Sequence, residues 1–414
     1  MRAENGGKRP DAMPDSPLVQ RLRSVVGRDL TVDVGDGGMP LVSPTLDASA
    51  ALLLQTAAAE GWSVQITGGR EWSLTELDGS NADFALSSNH FTAVTYLNSE
   101  DLVVTVQAGM PWSTLRDQLA DQGAWLPIDP PGDNRTVGSV VATATAGPLR
   151  AGFGGIRDHL LGTTFVTGDG KIVKPGGQVV KNVAGFELAK LAAGSFGAFG
   201  FLTHVTFRLR AIPRSDITLT ARGNRDQLLS AGVRILERGI NPASAEVFAA
   251  DPDDEWTLAI RLIGTDEAVA TARDAVAGTP DIGLQILKDP GAMWRDHALG
   301  CLDHPTTIRM GTPSQGLSAA LDLLRHDLVH GWTSVTMFPG AIRWSGTVDA
   351  DRLKLVRHQA AQHEFPVTVE RGPTELLREV GHFGAYREGV GRVVHSLRAA
   401  FDPAGVFVAP VNTA

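Results

Sequence analysis

Three glycine-rich segments are the parts of this chain whose residue types and spacing can do chemistry. The first is Thr67-Gly68-Gly69-Arg70-Glu71-Trp72. Successive backbone N–H groups in such a turn can form a nest for an anion, although the same residues also suit an ordinary turn. The second runs from Asp129-Pro130-Pro131 through Thr136-Val137-Gly138-Ser139 to Gly147-Pro148-Leu149-Arg150, then on to Gly152, Gly154-Gly155 and Arg157-Asp158. Between Arg135 and Arg150 lie 14 residues without a charged side chain. They are mostly small, so a flat ligand could touch the backbone. Read as one long loop, this stretch is of a length that is usually functional. The third is Gly194-Ser195-Phe196-Gly197-Ala198-Phe199-Gly200-Phe201-Leu202-Thr203. Glycines at every third position permit close backbone approach, to a ligand or to a packed element.

The flanking sequence supplies elements to hold these segments. An apolar run from Ala50 to Ala59, with Asp47 as N-cap and Gly61 after it, predicts a helix. Trp62–Thr67 predicts a strand leading into the first glycine turn. Thr92–Leu97 and Leu102–Gln107 predict a hairpin, and Trp112–Asp121 a helix. Strands follow near Thr163–Thr167 and Thr203–Leu209, and Pro213 marks a domain boundary. Beyond it the order of elements repeats. Strand Ile217–Thr220, helix Arg225–Glu237, strands Ala245–Ala249 and Trp256–Ile263, helix Glu267–Ala277 and strand Ile282–Leu287 form one βαββαβ unit. Strand Thr306–Met310, helix Ser314–Val329, strands Ser334–Phe338 and Ile342–Val348, helix Ala350–Gln362 and strand Pro366–Glu370 form a second. Side by side they would make one antiparallel sheet with helices on one face and the other face free to cover a ligand. The resulting division is a disordered tail (1–17), a first domain (18–213), a cap (214–396) and a C-terminal segment returning to the first domain (397–414).

Composition narrows the function classes. The chain has 414 residues, a formal charge of −9 and one cysteine, Cys301. That balance argues against a general nucleic-acid binder, and a single cysteine excludes an internal disulfide or a cysteine zinc site. The longest stretch without a charged residue, Leu191–Phe207, is broken by three glycines and makes a poor membrane helix. The N-terminus lacks the apolar core of a secretory signal. These features predict a cytoplasmic protein without membrane insertion. No early G-x-G-x-x-G and no GKS or GKT is present, which argues against Rossmann and P-loop sites.

The quoted segments carry a resemblance. "LPIDPPGDNRTVGSVVA" (Leu126–Ala142), "AGPLRAGFGGIRDHLLGT" (Ala146–Thr163) and "GGQVVKNVAGFELAKLAAGSFGAFGFLT" (Gly176–Thr203) resemble the FAD-binding domain of the vanillyl-alcohol oxidase/PCMH flavoenzymes. Within that family they are most similar to the E-type FAD-binding subunits of glycolate oxidase complexes. "GAIRW" (Gly340–Trp344) and "LRAAFDPAGVF" (Leu397–Phe407) extend the likeness more weakly into the cap and tail. The resemblance implies an α+β chain: a PCMH-type FAD-binding domain of two α/β subdomains, and an antiparallel-sheet cap of two ferredoxin-like units. It implies that Thr67, Gly68, Gly69, Arg70, Thr136, Val137, Gly138 and Ser139 bind the FAD pyrophosphate through N–H groups. Pro131, Gly147, Pro148, Arg157 and Asp158 would line the flavin side. Gly197, Gly200 and Phe201 would pass near the adenine and flavin. Arg70 and Glu71 depart from the family's usual Gly then Ser/Thr, and Ser139 replaces a common glycine. On this reading, valine at Gly138 or Gly200 would block the ligand more than it damages the fold.

The implied chemistry is hydride transfer from the α-carbon of a small 2-hydroxy acid to FAD. The first turn has no histidine and the flavin-side segment no cysteine, so the FAD is expected to be non-covalent. Arg343, Arg309 and then Arg261 are the candidate cations for the substrate carboxylate, with ion pairing on a strand as the alternative for each. Relatives that oxidise hydroxy acids usually carry a glutamate where Phe196 stands, and a His-x-His metal pair. This chain has no His-x-His. His326 and His330, four apart on the expected helix, lack a third ligand, so no metal is assigned. The missing groups imply a subunit that needs a second flavoprotein and an iron–sulfur partner, or a non-catalytic flavin-fold scaffold that assembles them.

Overall fold

A computed structural model describes residues 16–27, 29–34, 39–69, 82–132, 135–178, 187–280, 282–328, 330–386 and 389–408. Arg70, Glu71 and Trp72 of the first glycine turn lie outside the described residues. So does the segment from Lys181 to Phe186.

The chain begins with α1 (Pro17–Val26), capped by the Ser16 side chain, then β1 (Leu30–Val34) and β2 (Pro40–Pro44). Next come α2 (Asp47–Glu60), β3 (Val64–Thr67) and β4 (Phe84–Ser87). Helix α2 ends at Gly61 in the left-handed region, but Asp47 is its first residue and Leu46 the cap. The four strands form a mixed sheet ordered β1-β2-β4-β3. Leu53, Leu54 and Ala57 of α2 pack on Phe84, Leu86 and Phe201.

The second subdomain contains β5 (Val94–Asn98), β6 (Val103–Gln107), α3 (Trp112–Ala120) and β7 (Ala124–Trp125). Three short helices follow: α4 (Val137–Thr143), α5 (Arg150–Phe153) and α6 (Ile156–His159). Strands β8 (Leu160–Val166), β9 (Ile172–Val173), β10 (Phe201–Arg208) and β11 (Arg210–Ala211) complete it. Its main sheet is ordered β5-β6-β10-β8-β9, every pair antiparallel. The expected long loop from Pro127 is therefore interrupted by helices. Thr136 explains the first: its hydroxyl accepts from Ser139 N and caps α4.

The cap follows the predicted repeat closely. Its first unit is β12 (Ser215–Gly223), α7 (Arg225–Glu237), β13 (Ser244–Ala249), β14 (Trp256–Gly264), α8 (Asp266–Ala277) and β15 (Gln285–Ile286). Helix α9 (Pro290–Gly300), absent from the sequence reading, connects the units. The second unit is β16 (Thr306–Gly311), α10 (Leu317–Asp327), β17 (Trp332–Thr336), β18 (Ala341–Gly346), α11 (Ala350–Gln362) and β19 (Val367–Arg371). The expected helix at Ser314 opens as a single 3-10 turn before α10 and stops at Asp327, so His330 lies beyond it. The eight strands make one antiparallel sheet ordered β15-β12-β14-β13-β17-β18-β16-β19. The two ferredoxin-like units meet through β13 and β17.

Alternation along these strands gives the sheet two unlike faces. Val247, Leu258, Ile260, Ile308, Val335, Ile342 and Val369 pack under the four helices α7, α8, α10 and α11. The opposite face carries Thr218, Arg261, Glu246, Ser334, Arg343, Thr307, Arg309 and Glu370. Helix α12 (Thr374–Val380) and helix α13 (Val390–Phe401) lead back to the first domain. There Phe407 bridges to Val64, and Phe401 packs edge-on against Phe165. The Asp402 carboxylate accepts from Val406 N and Phe407 N and fixes that return.

Candidate functional site

The first and second glycine segments meet. A Cβ on Gly68 would sit 2.5 Å from Thr136 Oγ1. Among the described residues, the N–H groups of Gly68 and Gly69 donate to nothing. With no partner among the described residues, these two backbone donors fit a pyrophosphate. The turn at Thr136 is different. Val137 N donates to Met110 O, Gly138 N to Ala108 O and Ser139 N to Thr136 Oγ1. The Ser139 hydroxyl accepts from Arg135. The donors of Val137 and Gly138 are thus spent on the segment after β6 and that of Ser139 on capping α4, which corrects the sequence reading at these three positions.

The flavin-side residues divide in the same way. Gly147 lies so close to Asp129 that a Cβ would be 2.0 Å from Asp129 O. Leu149 N donates to both Asp129 carboxylate oxygens at 3.1 Å. Ala146 N and Gly147 N donate to nothing among the described residues, so this stretch has open donors for a flat heterocycle. Pro131 and Pro148 are buried beside it. Arg157 is exposed, and Asp158 Oδ2 accepts from Gly155 N to cap α6. Helix formation claims Asp158, so its expected cofactor contact is replaced by a capping role.

The third segment reaches both domains. Gly197 packs on Ile66, and Phe201 is fully buried, edge-on to Phe91. A Cβ on Gly200 would meet Phe165 Cδ2 at 2.6 Å, and one on Gly138 would meet Ala108 Cβ at 3.0 Å. Valine at either glycine therefore strikes protein first, which overturns the expectation that flavin would suffer more than the fold. Phe196, with φ +50°, stands against His382 and Phe383, ring centroids 5.0 and 5.1 Å away. It links this turn to the loop after the cap sheet.

Arg343 and Arg309 sit directly opposite each other on neighbouring strands, and both are committed. Glu370 Oε1 accepts from Arg309 Nε at 3.0 Å, and Glu370 Oε2 from Arg343 Nε at 2.8 Å. Arg343 Nη2 also donates to Ala146 O at 2.9 Å, crossing from cap to first domain. Burial pushes the Glu370 carboxyl up, but the two guanidinium groups hold it below the usual range. Arg343, read from sequence as the first-choice carboxylate anchor, is an interdomain clamp here. Arg261 is likewise paired, to Asp216, and lies over the Trp294 ring.

Sequence reasoning passed over three further buried groups: Asp129 beside Gly147, Glu246 on this face and His297 on α9. Burial raises the Asp129 carboxyl to about 7, against the Leu149 hydrogen bond. Burial likewise raises Glu246 to about 7, with Ser334 and Thr336 opposing. Ser334 Oγ donates to Glu246 Oε2 at 2.6 Å, so it accepts from His297 Nε2 at 2.8 Å. Burial drives His297 down to about 3 and keeps it neutral. Glu246 Oε1 and His297 Nδ1 have no hydrogen-bond partner among the described residues. A strand glutamate in an alternating pattern reads as solvent-facing, so no sequence signal marked it.

Glu246 gives a pH prediction. Its folded value of about 7 lies above the unfolded value near 4.5, so its contribution to stability is full below pH 4.5. That contribution is lost as pH rises through 7. Glu246→Gln, which stays neutral, should flatten the fall in urea midpoint between pH 4.5 and 8. An unchanged slope would refute the shift.

His326 and His330 do not act together: the first is 3.2 Å from Asp327 Oδ1 and the second 3.4 Å from Asp251 Oδ2. Asp251, Asp253 and His330 do cluster closely enough for a cation, at the exposed end of the cap. No described helix is long and apolar enough to cross a membrane.

Comparison with known proteins agrees with this architecture. A family described as FAD binding domain matches residues 40–176. The glycolate oxidase subunit GlcE of Escherichia coli (strain K12) is 29% identical over 314 residues, covering 74% of this chain and 81% of that protein. A mitochondrial D-lactate dehydrogenase (cytochrome) of Arabidopsis thaliana is 34% identical over 187 residues, covering 41% of this chain and 32% of the relative. The chain thus spans most of the first relative but about a third of the second. Among solved structures, an alkyldihydroxyacetonephosphate synthase superposes over 98% of this chain and 88% of its own, with a TM-score of 0.67 at 16% identity. The two-subdomain scaffold, the paired ferredoxin-like cap and these matches agree: residues 40–176 form an FAD-binding domain, and the chain is an FAD-dependent oxidoreductase similar to glycolate oxidase subunits and D-lactate dehydrogenases.

Proposed function

We propose that this chain is the FAD-binding subunit of a complex that oxidises glycolate or a similar 2-hydroxy acid in the cytoplasm. One observation carries the reading. The polar face of the cap, with three arginines and the near-neutral Glu246, meets the flavin-side segment around Gly147, where Asp129 supplies a second near-neutral carboxyl. The likeness to GlcE supports the substrate class and the need for partner subunits.

FAD supplies the acceptor for hydride from the substrate α-carbon; the chain supplies the surroundings. Gly68 and Gly69 offer N–H donors to the pyrophosphate. Ala146 and Gly147 offer them to the flavin ring. The cap's cationic face receives the substrate carboxylate. Asp129 and Glu246, held near neutrality, have the proton affinity that a base for the α-hydroxyl needs at pH 7. The partners on this reading are a second flavoprotein and an iron–sulfur protein that accepts electrons.

The cofactor link is predicted to be non-covalent, since Cys301 is buried in the cap and no histidine precedes Arg70 in the first turn. Acid precipitation should leave all the flavin in the supernatant; a yellow pellet would refute this. The function itself is tested by anaerobic mixing of the FAD-loaded chain with glycolate, D-lactate and their methyl esters. Free acids should bleach the flavin, slowly alone and faster with partner subunits, and the esters should not. Equal bleaching by the esters, or none by the acids even with partners, would overturn the proposal.

A further inference from the structure

The cationic face has an uneven distribution of partners. Glu370 neutralises Arg343 and Arg309 together. Arg343 uses its remaining reach on Ala146 O, and its side chain is only 12% exposed. It has little left for a ligand. Arg309 differs: it gives only Nε to Glu370, and its side chain is 32% exposed. Its two terminal nitrogens have no acceptor among the described residues.

Arg150 is the third guanidinium of this cluster. It opens α5, directly after the flavin-side residues Gly147 and Pro148, and Arg150 N donates to Gly147 O. Helix α5 lies on the cap edge, with Gly152 N donating to Ala243 O at 3.0 Å. The Arg150 side chain is half-buried and donates no hydrogen bond to any described residue. Arg309 and Arg343 repel it, while Asp158 and Glu370 attract it. Burial and those like charges leave its guanidinium below the ordinary value. A half-buried cation crowded by two others, with no acceptor for its fork of donors among the described residues, is an incomplete anion site.

We propose that Arg150, together with the terminal nitrogens of Arg309, is the carboxylate-binding pair of this protein, and that Arg343 positions rather than binds. The inference rests on the 2-hydroxy-acid reading for the identity of the anion. Because Arg150 adjoins Gly147, a carboxylate held there lies beside the flavin-side backbone. Planar, two-pronged recognition selects carboxylates over neutral or cationic groups.

The probe is oxalate, which carries carboxylates but no α-hydrogen, titrated by calorimetry into the FAD-loaded chain. Losing one charge-assisted contact predicts about a 10- to 100-fold weaker Kd in Arg150→Gln. Arg150→Lys should recover part of it, because charge survives and the fork does not. Flavin content and melting temperature should match wild type in both, since the Arg150 side chain pairs with no described residue. Oxalate binding within twofold of wild type in Arg150→Gln, or no oxalate binding to wild type, would overturn the assignment. The outcomes separate from the functional reading. Oxalate held by Arg150 while no hydroxy acid bleaches the flavin leaves this site standing and removes the reaction. Bleaching of Arg150→Gln with an unchanged KM does the reverse.

Discussion

Glu370→Gln should destabilise the cap by about 3–5 kcal/mol, the usual cost of leaving a buried ion pair without one partner. Glu370 is 5% exposed and is the shared counter-charge of Arg309 and Arg343. Glutamine can accept a hydrogen bond but cannot neutralise two guanidinium groups. Its loss also frees Arg343, the residue that reaches Ala146 in the first domain. The sign of the pH dependence follows from the depressed carboxyl. The stabilisation is present above the unfolded value near 4.5 and disappears as pH falls through the folded value. The gap between wild type and Glu370→Gln should therefore narrow in acid. Urea unfolding followed by tryptophan fluorescence, with Trp344 in the cap core as a reporter, measures it. A difference under about 1 kcal/mol at pH 7 would place the pair among weakly contributing surface bridges instead.

Gly147→Ala should weaken FAD binding. The added Cβ would lie 2.0 Å from Asp129 O and 2.7 Å from Asp129 Oδ1. Backbone cannot yield as a flexible side chain does, so the segment must move away from Asp129. Leu149 N then loses its acceptor, and the open donors of Ala146 and Gly147 shift with it. Overpacking of this kind costs about 1–3 kcal/mol. Felt at the cofactor, that is roughly a 5- to 150-fold weaker FAD Kd. Gly177→Ala, whose Cβ meets nothing within 4 Å, is the control and should retain FAD. FAD remaining after desalting gives the comparison. Equal retention in the two variants would show that the Gly147 segment does not hold the flavin.

Much of the fold was legible because its periods are clean. Arg225–Glu237 and Ala350–Gln362 are helices over the very residues read from sequence. The βαββαβ order of the cap elements implied one antiparallel sheet with helices on one face, and the structure has that sheet. Helix α4 was hidden by the run of glycine, alanine and valine, which lacks a one-sided apolar stripe because Val137, Gly138, Val140 and Val141 are all buried. Its one local signal was Thr136 placed three residues before Ser139. At the site, the arginines were visible as types but their commitments were not. Arg309 and Glu370 are 61 residues apart, and Arg343 and Ala146 are 197 apart. The polar half of an alternating strand looks the same whether water or another domain covers it. For that reason Glu246 and Glu370 went unassigned, and for Arg343 a carboxylate anchor and ion pairing stayed as alternatives.

The most direct test of the account is the structure of the FAD-loaded chain. Its flavin ring should lie against Gly147 and Pro148, between the first domain and the polar face of the cap. The pyrophosphate should be held by the N–H groups of Gly68 and Gly69, and Arg343 should still be paired to Glu370. A flavin seated elsewhere, with the Ala146–Arg150 segment still closed against the cap strands, would contradict it.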